Sequence, residues 1–305
     1  MQTFIVTGAT QGLGLAIARA LAADRDHRVI LAVRDEARGA AVAQSLGPNA
    51  TVARLDCASL ADVRRFAAAW SGPIAGLVNN AGVQQTTGLQ RSADGWEQTI
   101  AVNHLAALQL TTDLLPHLGG GRVLFIGSGT HNPENRTATI FGFRGARFTS
   151  IEALARGEAD AASDRQRGMD RYATSKFLNT VTAMELARRI PRGRTAFFTL
   201  DPGLMAGTGL ARTAPALLRF AWARLLPAIA RLLPDSSTPT RSAAAAQWLL
   251  TDPGVAAQSG EVFSFDRRAS TRVWGPARDP EVGRKVLEQS FALLGISTNA
   301  VRGPV

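Results

Sequence analysis

The sequence predicts an α/β fold: a doubly wound parallel sheet of about seven strands, flanked by helices, forming a single domain over residues 1–305. Three observations predict it. Short apolar runs at 3–7, 28–33, 51–55, 76–79, 121–128, 194–200 and 260–265 alternate with helical patterns near 13–23, 36–46, 59–70, 93–117 and 170–190. The runs are rich in Val, Ile and Phe and lack polar alternation, as strands covered on both faces do. A glycine cluster joins the first run to the first helical pattern, where such folds open their ligand sites.

Composition supports this. Of 305 residues, 46% are hydrophobic and 19% charged, which suits a packed domain and excludes a disordered chain. The lone Cys57 excludes a disulfide framework and a cysteine zinc cluster, and His104, His117 and His131 lack metal-ligand spacing, so no metal is expected. The net charge of +10 comes from dispersed arginines without a basic run or interleaved aromatics, so nucleic acid is not an expected partner. Met1-Gln2-Thr3 runs into Phe4-Ile5-Val6 without a basic leader, and the expected address is cytoplasmic. Residues 214–233 are apolar but interrupted by Arg219, Arg224, Pro227 and Arg231. They read as an amphipathic helix pair, with membrane-surface contact as the alternative, and not as a span.

Two stretches break the β–α rhythm. Residues 130–169 form a long insertion rich in Gly, Arg, Asp and Asn, and residues 203–240 carry Gly and Pro around the amphipathic segment. Long connections in compact domains tend to be functional, so both are candidate walls of a substrate site, the second as a lid. Phe220, Trp222 and the leucines around them suggest an apolar wall and a hydrophobic substrate, although core packing explains them equally well.

The glycine cluster reads Thr7-Gly8-Ala9-Thr10-Gln11-Gly12-Leu13-Gly14. Between a strand and a helix, such a loop brings backbone close to a pyrophosphate at the helix N-terminus, where N–H groups and the helix dipole favour negative charge. This is the fingerprint of a Rossmann-type dinucleotide site. A carboxylate about twenty residues further on would bond the ribose 2′-hydroxyl of NAD. Arg34 stands there with Asp35 next to it, so NADP(H) is favoured and NAD(H) stays open.

These residues resemble the short-chain dehydrogenase/reductase family. Thr7 to Gly14 matches its TGxxxGxG loop, and Asn79-Asn80-Ala81-Gly82 its NNAG element. Asp56, in Leu55-Asp56-Cys57, falls where the family's aspartate contacts adenine, and Pro202-Gly203-Leu204 resembles the loop on the nicotinamide side. Asn103, Ser128, Tyr172 and Lys176 fall at the catalytic tetrad, and the resemblance spans residues 3–265. It implies that Lys176 also holds the nicotinamide ribose and that Asn103 holds a water passing protons to solvent.

The chemistry is coherent on its own terms. Tyr172 is the only tyrosine and Lys176 one of two lysines, and their spacing of four puts both on one helix face. A nearby ammonium and an oxidised nicotinamide favour phenolate and lower the phenol pKa, so Tyr172 can exchange a proton with a substrate oxygen as hydride moves. Ser128, at a strand end, would hydrogen-bond the same oxygen. Singly, Ser128 could merely end a strand, Asn103 be a core amide, Tyr172 a helix-face aromatic and Lys176 a solvated charge; in order, they read as catalytic.

The long gap from Ser128 to Tyr172, the Gly127-Ser128-Gly129-Thr130-His131-Asn132 run and Phe143-Arg144-Gly145 resemble a branch holding light-dependent protochlorophyllide reductases and retinol-dehydrogenase-like enzymes. The photoenzymes carry a cysteine two residues after the motif lysine, where this chain has Leu178. The expectation is an NADP-preferring carbonyl reductase or alcohol dehydrogenase acting on a small hydrophobic molecule. Alternatives are a cofactor-binding regulatory or scaffolding protein, or a protochlorophyllide-reductase-like C=C reductase. Alanine-rich faces near 93–117 and 170–190 would allow a homodimer, and a monomer is equally open.

Overall fold

The structure, a computed structural model, describes residues 1–205 and 235–301. The predicted amphipathic segment 214–233, with Phe220 and Trp222, lies outside the described residues. Seven parallel strands form one sheet: β1 (Gln2–Thr7), β2 (His27–Val33), β3 (Ala50–Arg54), β4 (Gly76–Asn79), β5 (Gly121–Ile126), β6 (Thr195–Asp201) and β9 (Val262–Ser264). Their spatial order is β3-β2-β1-β4-β5-β6-β9, and a small parallel pair, β7 (Leu204–Met205) with β8 (Ser236–Ser237), follows β6. The order reverses between β1 and β4, which opens a crevice at the strands' carboxyl ends.

The strands lack polar alternation because each faces a core on both sides. In β1, Ile5 joins one buried cluster while Phe4 and Val6 join the other. In β5, Val123 and Phe125 alternate with Leu124 and Ile126 in the same way. The first core contains residues of α3 (Leu60–Ala68), α5 (Ala106–Leu114), α8 (Asp164–Arg189) and α10 (Pro280–Leu294). The second contains residues of α1 (Gly12–Ala22), α2 (Glu36–Leu46) and α9 (Pro239–Thr251). Short polar side chains cap most of these helices: Asp35 accepts the Arg38 N–H, Ser59 that of Asp62, Ser163 that of Gln166 and Thr238 that of Arg241.

Several expectations change in detail. The pattern near 93–117 is a compound helix: α4 (Gln98–Ile100), a π-helical turn (Ala101–Leu105) and α5. The insertion 130–169 is only partly a loop. It holds α6 (Arg136–Ile140) and α7 (Ile151–Arg156), and its last residues already belong to α8. The fifth strand stops at Ile126, leaving Gly127 and Ser128 in a turn. Helices α9 and α10 were not anticipated, although Thr238-Pro239 and Asp279-Pro280 carry the cap-then-proline signature of a helix start.

That omission matters for the expected oligomer face. Residues Ala173–Leu186 of α8 are buried throughout, and α10 lies against the helix closely enough that a Cβ on Gly283 would stand 2.8 Å from Glu185 Oε2. The side of α8 that carries Glu185 is therefore covered by α10. Among the described residues, no helix is long and apolar enough to cross a membrane, and no group of three His, Cys, Asp or Glu could hold a metal ion.

Candidate functional site

The phosphate loop leaves β1 at Thr7, whose buried hydroxyl ties two chain segments together. Thr7 Oγ1 donates to the Val78 carbonyl (3.1 Å) and accepts the N–H groups of Asn80 (3.0 Å) and Ala81 (2.9 Å). Asn80 Nδ2 returns a bond to the Thr7 carbonyl at 2.8 Å. Gly8 and Gly12 have φ of +66° and +56°, a region that L side chains avoid. A Cβ on Gly14 would run into the Asn80 amide and stand 2.5 Å from the Gly8 carbonyl oxygen. Gln11, at the N-cap of α1, makes no side-chain capping bond, so the first N–H groups of the helix lack that partner. A glycine cradle beneath an uncapped helix start fits the pyrophosphate of a dinucleotide. Leu13 is buried at the start of α1, and Thr10 is half-buried in the loop.

At the end of β2, Arg34 is exposed beside the crevice. Asp35, which left NAD(H) open, is engaged as the cap of α2, accepting the Arg38 N–H at 3.0 Å. Arg38 Nη2 donates to Gln11 Oε1 at 3.0 Å, which places a second guanidinium against the phosphate loop. The sequence reading missed it, since Arg38 reaches the loop only across the strand–helix turn. After β3, Asp56 Oδ1 accepts the Ala58 N–H (2.9 Å), and the Asp56 N–H donates to Asp62 Oδ2 (2.6 Å). Burial, and then the charge of Asp56, push the Cys57 thiol up to about 12, so it stays protonated and unreactive near neutrality.

The tetrad residues assemble from three elements. Asn103 sits in the π-helical turn and is 1% exposed. Its Oδ1 accepts the Val83 N–H (2.7 Å), and its Nδ2 donates to the Val83 carbonyl (3.0 Å) and to Ser175 Oγ (2.9 Å). Ser175 donates in turn to the Tyr172 carbonyl at 2.7 Å. A buried amide has to satisfy its polar atoms, and here both side-chain N–H groups donate to protein atoms. Asn103 clamps the segment after the Asn79–Gly82 turn to α8.

Lys176 Nζ donates to the Ile126 carbonyl at 3.0 Å and lies 5.5 Å from the centre of the Tyr172 ring. Burial lowers its pKa to about 8. Tyr172 is shifted the other way: burial, and then the charge of Asp201, raise its phenol above the ordinary range. In the ligand-free chain desolvation penalises the phenolate and the ammonium is directed at a backbone carbonyl, whereas the expected lowering concerns the complex with an oxidised nicotinamide. Ser128 Oγ accepts from the Thr130 N–H (3.3 Å) and hydroxyl (3.1 Å). His131 Nδ1 donates to the Ser128 carbonyl (2.6 Å), and its Nε2 accepts the Trp274 N–H (3.3 Å), which fixes a neutral tautomer.

The insertion reaches this cluster through Phe143, whose ring centre is 6.1 Å from that of Tyr172. It is anchored by an Arg144–Asp170 ion pair, by the Arg147 N–H to Thr174 Oγ1 (2.8 Å) and by Gly145, whose φ of +82° lets the backbone pass against Pro133. At the end of β6, Pro202 is buried, Gly203 takes φ +71° and donates its N–H to Asp201 Oδ1 (3.1 Å), and the Leu204 N–H bonds the Asp235 carbonyl (2.7 Å). Gly82 lies against Asn103, and a Cβ there would come within 3.3 Å of Oδ1. The residues named from the sequence thus stand at or just after the carboxyl ends of β1–β6 and on α8, with Asn103 in the π-helical turn. Asp201, 6% exposed, was not among them.

A model of the short-chain dehydrogenase family matches residues 2–140. Protochlorophyllide reductase B, chloroplastic, of Oryza sativa subsp. japonica is 32% identical over 97% of this chain and 78% of its own length. The crystal structure of an uncharacterized protein from Mycobacterium Paratuberculosis is similar with a TM-score of 0.68 at 27% identity, covering 100% of this chain and 96% of that one. That of 3-ketoacyl-(acyl-carrier-protein) reductase from Brucella melitensis, complexed with NADH, has a TM-score of 0.61 at 20% identity over 89% of this chain and 98% of its own. Fold and crevice define an NAD(P)-dependent oxidoreductase. The chain belongs to the short-chain dehydrogenase/reductase family.

Proposed function

We propose that the chain is an NADP(H)-preferring reductase of carbonyl compounds, working in reverse as an alcohol dehydrogenase. Gly8, Thr10, Gln11, Gly12, Leu13 and Gly14 would hold the pyrophosphate, Asp56 and Cys57 would flank the adenine, and Asn80, Ala81, Gly82, Pro202, Gly203 and Leu204 would line the nicotinamide end. The preference for NADP(H) rests on Arg34 and Arg38, two guanidinium groups suited to a 2′-phosphate, while the Asp35 carboxylate is engaged by its own helix. The bound dinucleotide supplies or accepts the hydride.

The chain's own residues manage the substrate oxygen. Ser128 Oγ–H turns from its local acceptor role to donate to that oxygen, and Tyr172 Oη delivers the proton. Lys176, held by Ile126, stabilises the phenolate that remains, and a buried ammonium with a pKa near 8 can pass its own proton on. The observation that carries this reading is the Tyr172–Lys176 pair, 5.5 Å from ring centre to Nζ, beside the Ser128 turn. Phe143 beside the Tyr172 ring supports an apolar substrate.

Similarity to a protochlorophyllide reductase along nearly the whole chain supports a second reading, reduction of a C=C bond in a large flat ring system. Against it, Leu178 is fully buried in the core at the position of the photoenzymes' cysteine. The test is NADPH oxidation, in the dark and under illumination, with a panel of ketones, aldehydes and a protochlorophyllide. Dark turnover of carbonyls supports the proposal, and turnover of the tetrapyrrole alone replaces it with the second reading. Tight cofactor binding without turnover of any compound would leave a regulatory binder.

A further inference from the structure

His131 has no part in the chemistry above, yet it is 4% exposed and bonded directly to the Ser128 turn. On the amino side of Ser128, the Gly127 N–H donates to the Leu200 carbonyl at 2.9 Å. On the carboxyl side, the Ser128 carbonyl accepts twice from His131, from its backbone N–H at 3.3 Å and from Nδ1 at 2.6 Å. A carbonyl can only accept, so Nδ1 carries the hydrogen, and Nε2, which accepts the Trp274 N–H at 3.3 Å, carries none. The ring thus joins two distant stretches of backbone in a single tautomer. The Trp274 end is itself held. The Arg272 carbonyl accepts from Asn132 Nδ2 (3.1 Å), Arg272 Nη2 pairs with Asp235 (2.7 Å), and the Ser270 N–H donates to the Val262 carbonyl of β9 (2.7 Å). Phe177 of α8, next to Lys176, packs near both rings, 6.4 Å from His131 and 5.5 Å from Trp274 between centres.

We propose that His131 is a positioning residue for Ser128: its Nδ1–H and backbone N–H hold the Ser128 carbonyl, and its Nε2 fastens that hold to the segment after β9, which thereby sets the direction of the serine hydroxyl. This rests on the reading of Ser128 as the group that donates to the substrate oxygen. Peptide units are planar, so fixing the units on both sides of a residue fixes its Cα–Cβ bond, and here the Gly127 and His131 bonds do so. Precision matters, because a donor misplaced by about 1 Å loses up to about 100-fold in rate. Only the Nδ1–H tautomer serves, since a hydrogen on Nε2 would meet the Trp274 N–H head on. Burial lowers the pKa of the ring and so opposes the protonated form as well.

Two measurements on the full chain test this. Nitrogen NMR of the histidine-labelled protein at about neutral pH reads the tautomer, the His131 signals being those lost in His131→Asn. The Nδ1–H form is expected, and an Nε2–H ring or an imidazolium overturns the proposal. Steady-state carbonyl reduction then separates the two side-chain bonds. Asparagine places an amide N–H where Nδ1 stands and keeps the bond to Ser128, whereas glutamine reaches only the Nε2 position and loses it. His131→Gln should lower kcat by about 10- to 100-fold with NADPH affinity within a few-fold, and His131→Asn should recover most of that loss. Unchanged kcat in both variants, or an equal loss in both, overturns the proposal, because a packing role does not distinguish the two amides. Should His131→Gln fail to fold by circular dichroism, His131→Leu is read in its place. Absence of turnover in the wild type would defeat the oxidoreductase reading, whereas an active enzyme indifferent to His131→Gln would remove His131 alone.

Discussion

In the phosphate loop, Gly8 and Gly12 adopt φ values that residues with a side chain rarely take, Gly14 admits no Cβ, and the helix start above them is uncapped by a side chain. Around Tyr172 the backbone is ordinary α-helix, and the proposed chemistry resides in side chains drawn from α8, the π-helical turn and the Ser128 turn. The first region binds through backbone shape, set by which residues lack a Cβ. The second works through proton affinities, set by what surrounds each group. Burial moves Tyr172 up and Lys176 down to about 8, opposite shifts from one cause, because it penalises whichever form is charged. A loop of the first kind is broken by adding atoms, and a cluster of the second by changing charge or solvation.

The largest effect should come from the second region. Tyr172→Phe removes the proton and leaves the phosphate loop intact, so kcat should fall by about 1,000-fold while NADPH affinity, measured by fluorescence titration, stays within a few-fold. Retained turnover would break the division between the regions. In the first region, Gly14→Val places atoms where the Asn80 amide and the Gly8 carbonyl stand, and should weaken NADPH binding by about 100-fold. Normal affinity there would show that the loop is set by something other than steric closeness.

The burial that tunes the catalytic side also makes it sensitive to acid. His104, beside Asn103, is 1% exposed with Nε2 against Ser290 Oγ at 2.8 Å, and desolvation lowers its pKa from 6.5 to about 3. The unfolded chain therefore binds a proton between those values that the folded chain refuses, and stability falls as pH drops through that window. Between pH 7 and pH 5 the loss from this one group should be about 2 kcal/mol, measured by urea unfolding, and His104→Asn should be free of that component. An equal loss in the variant would assign the acid sensitivity elsewhere. The smallest effect is expected at the rim of the crevice. Arg34→Ala should cost about tenfold in NADPH affinity and leave NADH affinity unchanged, while equal losses for both would argue against a 2′-phosphate contact.

The two regions also differ in how far they were legible. Thr7 to Gly14 and Asn79 to Gly82 are contiguous runs, so their chemistry is visible within a few residues. Tyr172 and Lys176 were legible through helix periodicity, and Ser128 through its place at a strand end. Arg38 was not, since it owes its place to a neighbour distant in sequence, Gln11 across 27 residues. The upward shift of Tyr172 in the ligand-free chain was not legible either, because spacing shows that a lysine is near but not that it is turned to Ile126. Helices α9 and α10 escaped although their Thr-Pro and Asp-Pro starts were available and α10 has a clear apolar face.

By itself, the sequence determined the doubly wound sheet, the dinucleotide crevice and the order of the groups along its edge. Those depend on apolar period, on glycine's missing Cβ and on spacing within one helix, all of which are local. Only the tertiary structure decided which side chains are engaged elsewhere, as Asn103 is by Val83 and Asp35 by α2, and that α10 packs on α8 at Glu185. It also decided the proton affinities of Tyr172, Lys176 and His104. Desolvation and Coulomb interaction act through space, and residues far apart in the chain set them.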